Sequence, residues 1–413
     1  MAEGIVSENG NDAEALVRRS NIIYKNMKDP QILKYVYKFK TINLLGKESV
    51  SGSSPPDVFI GSFGYPNVYV GPMIPPTYGD TSLLSSPEEW VGKSIENIVE
   101  YRSSLVRCMY KTKVDNVENG KVENIIKELA LSDKFMYADA TLKNRPEMKL
   151  SFDENSQPFG PSAMLKEVEI GVGSTNTKIE NAYSDTSMNA KDAILELYKK
   201  GVRVSRIQKA LSAGILGVGS SRKFVPTRWS ITAVDDSLGK ANLSVVKELD
   251  PIDSYRVYYL NALDNRWVII MAPTSWCYEL VEAWYPHTTW NTSNENIEIF
   301  SSSELYNGRK GYAEIGGCYY AARLAVSEVL GNEKKQAGVA ILRESHPGYI
   351  LPVGVWNVRE HVRKALREMP QRFSTLEETF NYAFSKLAIR KEEWIKNSTV
   401  LRYIMSQRML SSY

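Results

Sequence analysis

The sequence predicts an α+β protein with mixed β-sheets flanked by helices, built from two intimately packed regions and a flexible carboxyl-terminal peptide. The length of 413 residues is enough for about two or three domains, and 43% hydrophobic residues are enough for a substantial core. Alternating strand patterns and amphipathic helical patterns both occur along the chain. No repeat of about 20–50 residues is visible, so a solenoid is not expected.

The amino-terminal half contains both strand and helix patterns. Residues 57–61 and 65–72 alternate apolar and polar side chains, which predicts two strands joined by a turn. Ser86 and Pro87, followed by two glutamates, predict the start of a helix, because a hydroxyl can cap the first turn and acids stabilise it. The apolar periodicity predicts further helices over residues 94–110 and 122–131. Residues 135–142 predict a strand.

A pair of helices is predicted in the middle of the chain. Asn189 can cap a helix that stops at Gly201, and a second helix follows over residues 205–211. This pattern is typical of an ordinary αα-hairpin and also of a DNA-binding helix-turn-helix. Residues 225–234 then predict a strand that ends in two adjacent acids.

The carboxyl-terminal half predicts a hairpin over residues 255–260 and 266–272, with its turn around residues 264–265. A glycine pair opens a predicted helix over residues 316–330. A short apolar run over residues 338–343 predicts a buried strand. Three more helices are predicted over residues 355–369, 375–387 and 392–405. The domain boundaries that we predict are residues 1–53 (an extension with one helix), 54–260, 261–395 and 396–413.

Composition narrows the class of protein. The net charge is +3 and the pI is about 8.4, so contacts with nucleic acid must come from local basic patches. The three cysteines are widely spaced, which argues against a disulfide framework and a zinc ribbon. No apolar run is long enough to span a membrane, and the first residues lack a signal-peptide core. We expect a cytoplasmic, nucleoid-associated protein.

One basic and aromatic segment is the first candidate for chemistry. Lys223 and Arg228 can grip phosphate, and Trp229 can stack on a base. Asp235 and Asp236, at the end of the predicted strand, can hold Mg²⁺ or Mn²⁺, which prefer oxygen ligands. Two alternatives remain open: neighbouring strand residues face opposite sides, and the two acids can simply cap a following helix.

Further candidates lie in the carboxyl-terminal half. Arg323 follows the glycine pair that opens a helix, where backbone amides can bind an anion. Arg343 and His346 end the predicted buried strand, a place where sheet proteins often position functional groups. His346 is a candidate acid, base or ligand, although a single histidine is more often held by an ordinary hydrogen bond.

The last seven residues, QRMLSSY, resemble the peptide that binds the PCNA sliding clamp. That peptide places a glutamine, an aliphatic residue and an aromatic residue three apart, as Gln407, Leu410 and Tyr413 are placed here, with Met409 beside them. In a 3₁₀-like turn, residues three apart lie on one side, so Leu410 and Tyr413 can enter one apolar pocket. The alternative is that this segment docks on its own domain.

Several ordered blocks resemble the archaeal Nre family of NreA-type DNA repair proteins. They are SPPDVFIGSFGYPNVYVGPMIPPTYGD, SPEEWVGKSIENIVEYRSSLVR, LSFD, GPSA, SAGILG, KFVPTRWSITAVDD, ELVEAWYP, GGCYYAARLAV and GVWNVRE, and they span residues 54–360. The resemblance implies a role in DNA repair and a clamp-binding peptide at the carboxyl terminus. Many members begin with a cysteine-rich, zinc-finger-like segment, but residues 1–53 contain no cysteine, so no zinc site is expected there.

These observations lead to one prediction of function and one alternative. We predict a DNA repair factor that is recruited to the PCNA clamp through its tail and whose body binds DNA or a nucleotide. The alternative is a metal-dependent phosphodiesterase, nuclease or other nucleotide-processing enzyme, with Lys223, Arg228, Asp235, Arg323 and Arg343 among its site residues. The enzyme would require these residues to line one concave pocket.

Overall fold

The computed structural model describes residues 47–147 and 158–410, with gaps at residues 289, 292, 294 and 350. This part of the chain divides into two compact units. The amino-terminal unit contains residues 47–238 and the segment Val353–Trp356, and the carboxyl-terminal unit contains Gly239–Pro352 and residues 357–410. Within these residues, each unit has a six-stranded mixed sheet and several helices, so the predicted α+β class is confirmed.

The sheet of the amino-terminal unit has the strand order β1-β5-β6-β4-β3-β2. Neighbouring strands are antiparallel, except for β4 and β6, which are parallel. The predicted hairpin near residue 60 is confirmed as β2 and β3. The strands are β1 (Ser49–Ser54), β2 (Val58–Ile60), β3 (Asn67–Ile74), β4 (Val106–Lys113), β5 (Met136–Leu142) and β6 (Ser162–Ile170).

The first five helices all belong to the amino-terminal unit. They are α1 (Ile95–Ser103), α2 (Lys121–Leu131), α3 (Thr177–Ser184), α4 (Ala190–Lys199) and α5 (Val204–Ser212). Asn189 caps α4 as predicted, since its side chain accepts a hydrogen bond from the Asp192 amide at 3.0 Å. Helix α5 buries Val204, Ile207 and Leu211, so its packing favours the ordinary αα-hairpin over a helix that enters a DNA groove.

Helix α6 (Thr227–Val246) stands where the sequence analysis predicts a strand, so that prediction is wrong. The carbonyl of Pro226 accepts hydrogen bonds from the amides of Trp229 and Ser230, at 2.8 and 3.0 Å, and so begins the helix. Threonine, isoleucine and valine in this segment favour a strand, but their apolar positions follow a helical period. Ile231 and Val234 are three residues apart and both are buried.

The sheet of the carboxyl-terminal unit has the order β10-β9-β11-β8-β7-β12, with β9 and β11 parallel. The predicted hairpin is confirmed as β7 and β8. Its two-residue turn places Leu263 and Asp264 at φ values of 51° and 53°, as a type I′ turn requires. The strands are β7 (Tyr255–Ala262), β8 (Asn265–Ala272), β9 (Cys277–Trp284), β10 (Glu298–Glu304), β11 (Gly338–Ser345) and β12 (Gln371–Phe373).

The remaining helices are α7 (Gly317–Glu333), α8 (Trp356–Arg367), α9 (Leu376–Ser385), α10 (Lys391–Asn397) and α11 (Thr399–Leu410). One face of the carboxyl-terminal sheet packs on α9, α10 and α11 through buried side chains that include Ile270, Leu342, Phe380, Trp394 and Leu401. Each such side chain stabilises the fold by about 1.5–3 kcal/mol relative to its exposed state. This core fixes the position at which α11 leaves the sheet.

Helix α11 continues to Leu410, five residues beyond the predicted helix end at residue 405. Residues 411–413 and the side chains after Gln407 lie outside the described residues, as do residues 1–46, which carry the predicted extension. Among the helices that the structure describes, none has the length and apolar character needed to cross a lipid bilayer.

Candidate functional site

A pocket in the amino-terminal unit brings together charged, hydroxyl and aromatic side chains. It opens to solvent, and its cavity volume is about 20 Å³. Its walls come from the segment that leads into β2 and from α1, α5 and the start of α6. The residues that carry its chemistry are Asp57, Phe59, Arg102, Phe159, Ser205, Gln208, Lys209, Ser212, Thr227 and Ser230.

Asp57 is the carboxylate at the centre of the pocket wall, and it is buried. Its Oδ2 lies 2.9 Å from Arg102 Nη1, and its Oδ1 lies 3.6 Å from Lys209 Nζ. The Ser85 hydroxyl donates a hydrogen bond to Asp57, and Lys209 Nζ donates to the Ser85 carbonyl and hydroxyl at 2.7 and 2.5 Å. One carboxylate therefore serves a buried cation, Arg102, and a partly buried one, Lys209.

The pKa values of this group show how the charges interact. Burial alone would raise the pKa of Asp57, but Lys209 and Arg102 outweigh burial and lower it to about 2. Burial lowers the pKa of Lys209 to about 8, helped by Arg206 and Arg102 and opposed by Asp57 and Glu88. The aspartate is thus firmly ionised, whereas the lysine is close to losing its proton.

Arg206 adds a third cation, partly buried, close to the pocket. Its guanidinium donates to the carbonyls of Pro56, Ala130 and Ser132, at 2.6, 3.1 and 2.5 Å. Carbonyl partners satisfy its hydrogen bonds but carry no charge. Burial therefore lowers the pKa of Arg206 to about 10, despite the more distant Asp57, Asp133 and Glu88.

Arg107, on β4, lies between two phenyl rings that line the pocket. Its guanidinium carbon is 5.0 Å from the Phe59 ring centre and 4.5 Å from the Phe159 ring centre. The residue is 8% exposed, and its Nε has no hydrogen-bond partner in the described part of the chain. Burial and the neighbouring Arg102 lower its pKa to about 10. A Cβ on the adjacent Gly160 would lie 2.2 Å from the Leu105 carbonyl, so only glycine lets this segment approach β4 so closely.

Hydroxyl groups from α5 and α6 line the same pocket. The Ser212 hydroxyl donates to the Val225 carbonyl at 2.7 Å, and the Ser230 hydroxyl donates to the Thr227 carbonyl at 2.9 Å. Thr227 Oγ1 accepts from the Ile60 amide at 3.1 Å, which ties the start of α6 to β2. These bonds fix the hydroxyl positions, and each oxygen can still take part in a further hydrogen bond.

Three exposed aromatic side chains of the same unit form what we call the aromatic ledge, defined as Phe63, Tyr65 and Trp229. Phe63 is 86% exposed, Tyr65 is 46% exposed and Trp229 is 38% exposed. The rings of Tyr65 and Trp229 are 5.2 Å apart. Trp229 follows the pocket residue Thr227 by two positions in α6, so the ledge lies in the same unit as the pocket.

The sequence-predicted cluster around α6 is only partly assembled. Trp229 belongs to the aromatic ledge, Lys223 is exposed and Arg228 is half-buried in the first turn of α6. Asp235 and Asp236 lie inside the helix, so they neither end a strand nor cap a helix. Successive helical residues point about 100° apart, so the two carboxylates do not converge on one cation.

Asp235 itself is fully buried and accepts a hydrogen bond from Gln208 Nε2 at 3.1 Å. It therefore supports a pocket residue from behind. Within the described ranges, no three His, Cys, Asp or Glu side chains are grouped in a way that could hold a metal ion. Asp57 does not fit a divalent cation either, because Arg102, Lys209 and Ser85 occupy its oxygens. The Mg²⁺ or Mn²⁺ site remains a prediction.

The other predicted phosphate ligands, Arg323 and Arg343, belong to the carboxyl-terminal unit. Arg323 Nη1 donates to Glu304 Oε2 at 2.8 Å, and Arg343 Nη1 donates to Glu282 Oε1 at 2.7 Å. Both residues are buried. Because each already has a carboxylate partner within its own unit, neither offers an uncompensated charge to a phosphate.

His346 is held by ordinary contacts. Its Nε2 lies 3.1 Å from Glu344 Oε2, and its ring stacks on Tyr285 with the ring centres 4.3 Å apart. This geometry supports the simpler interpretation, a histidine held in place by a hydrogen bond, and does not indicate a catalytic group.

Gln407, the first residue of the predicted clamp-binding peptide, lies near the end of α11. Its Oε1 accepts a hydrogen bond from Thr274 Oγ1 at 2.7 Å, and its Nε2 donates to the Tyr403 hydroxyl at 2.5 Å. The side chains of Met409 and Leu410 and the whole of Tyr413 lie outside the described residues. The glutamine amide is thus engaged within its own unit.

The sequence analysis missed Asp57, Arg107 and Lys209 as functional candidates. Asp57 and Arg107 each stand in a block that carries the family resemblance, residues 54–80 and 86–107. Lys209 lies just before another such block, residues 212–217. The one available signal was that these blocks contain charged residues within apolar surroundings, and only the fold shows that the blocks meet.

Comparisons with known proteins agree with this resemblance. The family model described as Archaeal Nre, N-terminal, matches residues 27–291, and the model described as Archaeal Nre, C-terminal, matches residues 304–413. DNA repair protein NreB of Archaeoglobus fulgidus is 40% identical over 357 residues, which cover 86% of this chain and 90% of the relative.

Two NreA proteins are also similar to this chain. DNA repair protein NreA of Archaeoglobus fulgidus is 35% identical, with 83% of this chain and 85% of the relative covered. DNA repair protein NreA of Haloferax volcanii is 34% identical, with 77% and 78% covered. No solved structure matches this chain significantly.

Proposed function

This chain belongs to the archaeal Nre family, and on that premise we propose that it is a DNA repair protein whose amino-terminal unit binds DNA. Relatives at 34–40% identity are named DNA repair proteins, and they align with most of this chain. The observation that carries the proposal is the pairing of a cation-rich pocket with the aromatic ledge.

The pocket and the ledge supply the two interactions that single-stranded nucleic acid needs. Arg102 and Lys209, which line the pocket, offer positive charge for the phosphate backbone. Exposed rings of the ledge offer faces on which bases can stack, regardless of sequence. Unpaired bases are available in the damaged or processed DNA that repair proteins handle, so this combination suits the proposed role.

DNA binding can be tested by fluorescence anisotropy with labelled single-stranded DNA. Trp229→Ala should weaken binding about fivefold or more, because one stacked base contributes about 1–3 kcal/mol. Tyr259→Ala is the matched control, since Tyr259 is a 36% exposed aromatic residue of the carboxyl-terminal unit. Thermal unfolding would verify that both variants are folded. Equal affinity of wild type and Trp229→Ala would argue against the ledge.

We further propose that the tail recruits the protein to the PCNA sliding clamp. Gln407, Met409, Leu410 and Tyr413 would form the docking peptide, with Leu410 and Tyr413 entering an apolar pocket of the clamp. The support is the spacing of these residues and their similarity to the clamp-binding peptide. A pull-down with archaeal PCNA tests this: Leu410→Ala combined with Tyr413→Ala should abolish capture, whereas Ser406→Ala should not.

The alternative function, a metal-dependent phosphodiesterase or nuclease, gains no support from the described residues. It needs carboxylates that converge near a phosphate site. Asp235 is buried and bound to Gln208, and Asp236 follows it on the same helix about 100° away. Arg323 and Arg343 are each paired with a glutamate in the carboxyl-terminal unit. We therefore do not extend the proposal to a reaction.

A further inference from the structure

We propose that Phe63 is a wedge that inserts between neighbouring bases of DNA, and that the protein therefore prefers duplex DNA that contains a mismatch. This inference rests on the proposed DNA-binding function and specifies the DNA structure that the aromatic ledge recognises. Apolar side chains that enter a base step unstack it, and the unstacking costs least where the bases are already mispaired.

The first argument is the position of Phe63, in the loop that joins β2 to β3. Its side chain is 86% exposed, more than that of any other aromatic residue in the described part of the chain. Single apolar residues are common on protein surfaces, so exposure alone indicates no function. Phe63 differs from such residues because it projects from the turn of a hairpin, where a ring can reach into a partner.

The second argument is that the turn is held firmly. The Gly61 amide donates to the Tyr69 carbonyl at 2.8 Å, which closes the base of the loop. The Asn67 amide donates to the Gly64 carbonyl at 2.9 Å. Gly64 has a φ of 82°, a conformation that favours glycine, so the chain can reverse directly after Phe63. A wedge needs such support because it works against the stacking of the bases that it separates.

The third argument is the pair of rings beside the wedge. Tyr65 follows Phe63 by two residues, and the ring centres of Tyr65 and Trp229 are 5.2 Å apart. Both rings are exposed, so a base that leaves the stack can find an aromatic face nearby. The Ile60 amide donates to Thr227 Oγ1 at 3.1 Å, which ties the hairpin to the helix that carries Trp229.

Backbone hydrogen bonds bring two further segments to this loop. The Val114 amide, directly after β4, donates to the Pro66 carbonyl at 3.0 Å. The Phe224 amide, in the segment before α6, donates to the Val114 carbonyl at 2.7 Å. Lys113 and Lys223 come directly before these two residues, and both are exposed. Two exposed lysines therefore lie close to the loop that carries the wedge.

The charge of these segments favours DNA as the partner over an apolar groove on another protein. Residues 62–67, 111–115 and 223–229 contain four cations and one acid, namely Lys111, Lys113, Lys223, Arg228 and Asp115. Cations near the wedge can contact the phosphates on either side of the step that it opens. A groove that accepts only a phenyl ring would gain nothing from them.

Two measurements test the wedge with the full chain. In fluorescence anisotropy, wild type should bind a mismatched duplex about fivefold tighter or more than the matched duplex of the same sequence, because part of the unstacking is already present. A 2-aminopurine placed next to the mismatch should become brighter when wild type binds, since this base fluoresces more strongly once it is unstacked.

Phe63→Ala should remove both the preference and the brightening, whereas Phe63→Leu should keep part of each, because leucine is also an apolar wedge. Tyr78→Ala is the matched control, since Tyr78 is a 69% exposed aromatic residue of the same unit whose ring lies near Tyr137. Thermal unfolding would verify that the variants are folded.

Wild type that binds DNA without the brightening, or Phe63→Ala that keeps the preference for the mismatch, would overturn the inference. Either result would leave the proposed DNA binding intact and would point to a protein partner for the exposed ring. Wild type that binds neither duplex nor single-stranded DNA would reject the proposed function, and the wedge with it.

Discussion

Replacing Arg107 with methionine should make the protein more stable. Burial lowers the pKa of Arg107 from 12.5 to about 10, and at about 1.36 kcal/mol for each pKa unit this corresponds to a cost of about 3 kcal/mol for the charge at neutral pH. Contacts with the two phenyl rings offset about 1–2 kcal/mol of that cost. Methionine fills a similar space, and its sulfur also contacts aromatic rings favourably.

The expected net gain for Arg107→Met is about 1–2 kcal/mol in the free energy of unfolding. A domain of about 150–250 residues then unfolds about 2–8 °C higher, since each kcal/mol shifts the midpoint by about 2–4 °C. Differential scanning fluorimetry of wild type, Arg107→Met and Arg145→Met measures this directly.

A lower midpoint for Arg107→Met would refute this reasoning. It would mean that the ring contacts are worth more than the desolvation of the charge, so that Arg107 is a structural residue. The control variant guards against a general effect of removing an arginine, because Arg145 is exposed.

Three further predictions follow from the same contacts. DNA binding should weaken as the pH rises past about 8, where Lys209 loses its proton, and Lys209→Arg should flatten that profile. A flat wild-type titration would contradict a role for Lys209 in binding. Asp57→Asn should reduce the free energy of unfolding in urea by about 3–5 kcal/mol, because Arg102 loses its carboxylate partner. Wild type should also lose stability as the pH falls from about 4 to about 2, where Asp57 becomes protonated. Urea midpoints that neither change affects would argue against the Asp57–Arg102 pairing. Thr274→Val should tighten clamp binding about two- to tenfold in surface plasmon resonance, because the Gln407 amide loses a competing hydrogen bond within its own unit. Weaker binding would argue against Gln407 as a clamp contact.

Elements with a strong local signal could be predicted from the sequence. The β7–β8 hairpin has alternating strands around a polar turn, and α4 has a capping asparagine and a terminating glycine, with Gly201 at a φ of 77°. Helix α6 could not be predicted from its first ten residues, because Thr227, Ile231 and Val234 favour a strand as individual residues. Its helical period becomes clear only when the window extends to Leu238 and beyond, where packing against the core selects the helix.

The pocket was harder to predict because its members are distant in the sequence. Asp57 meets Lys209 only because the segment leading into β2 packs beside α5, and Arg107 meets Phe159 only because β4 pairs with β6 in parallel. Periodicity predicts which face of an element is buried, but it does not predict which charges share that buried space. Local motifs such as the adjacent acids at 235 and 236 therefore predicted a metal site, whereas the fold places both acids inside α6.

Charge compensation is what separates the two kinds of arginine in this protein. Arg343 looked like a phosphate ligand in the sequence, yet Glu282 neutralises it at 2.7 Å, and removal of either partner would leave a buried charge alone. Arg107 gave only a weak signal in the sequence, as a charged residue in an apolar block, yet its guanidinium is 8% exposed and has only ring contacts in the described residues. The stability of Arg107→Met measures what the burial of this charge costs.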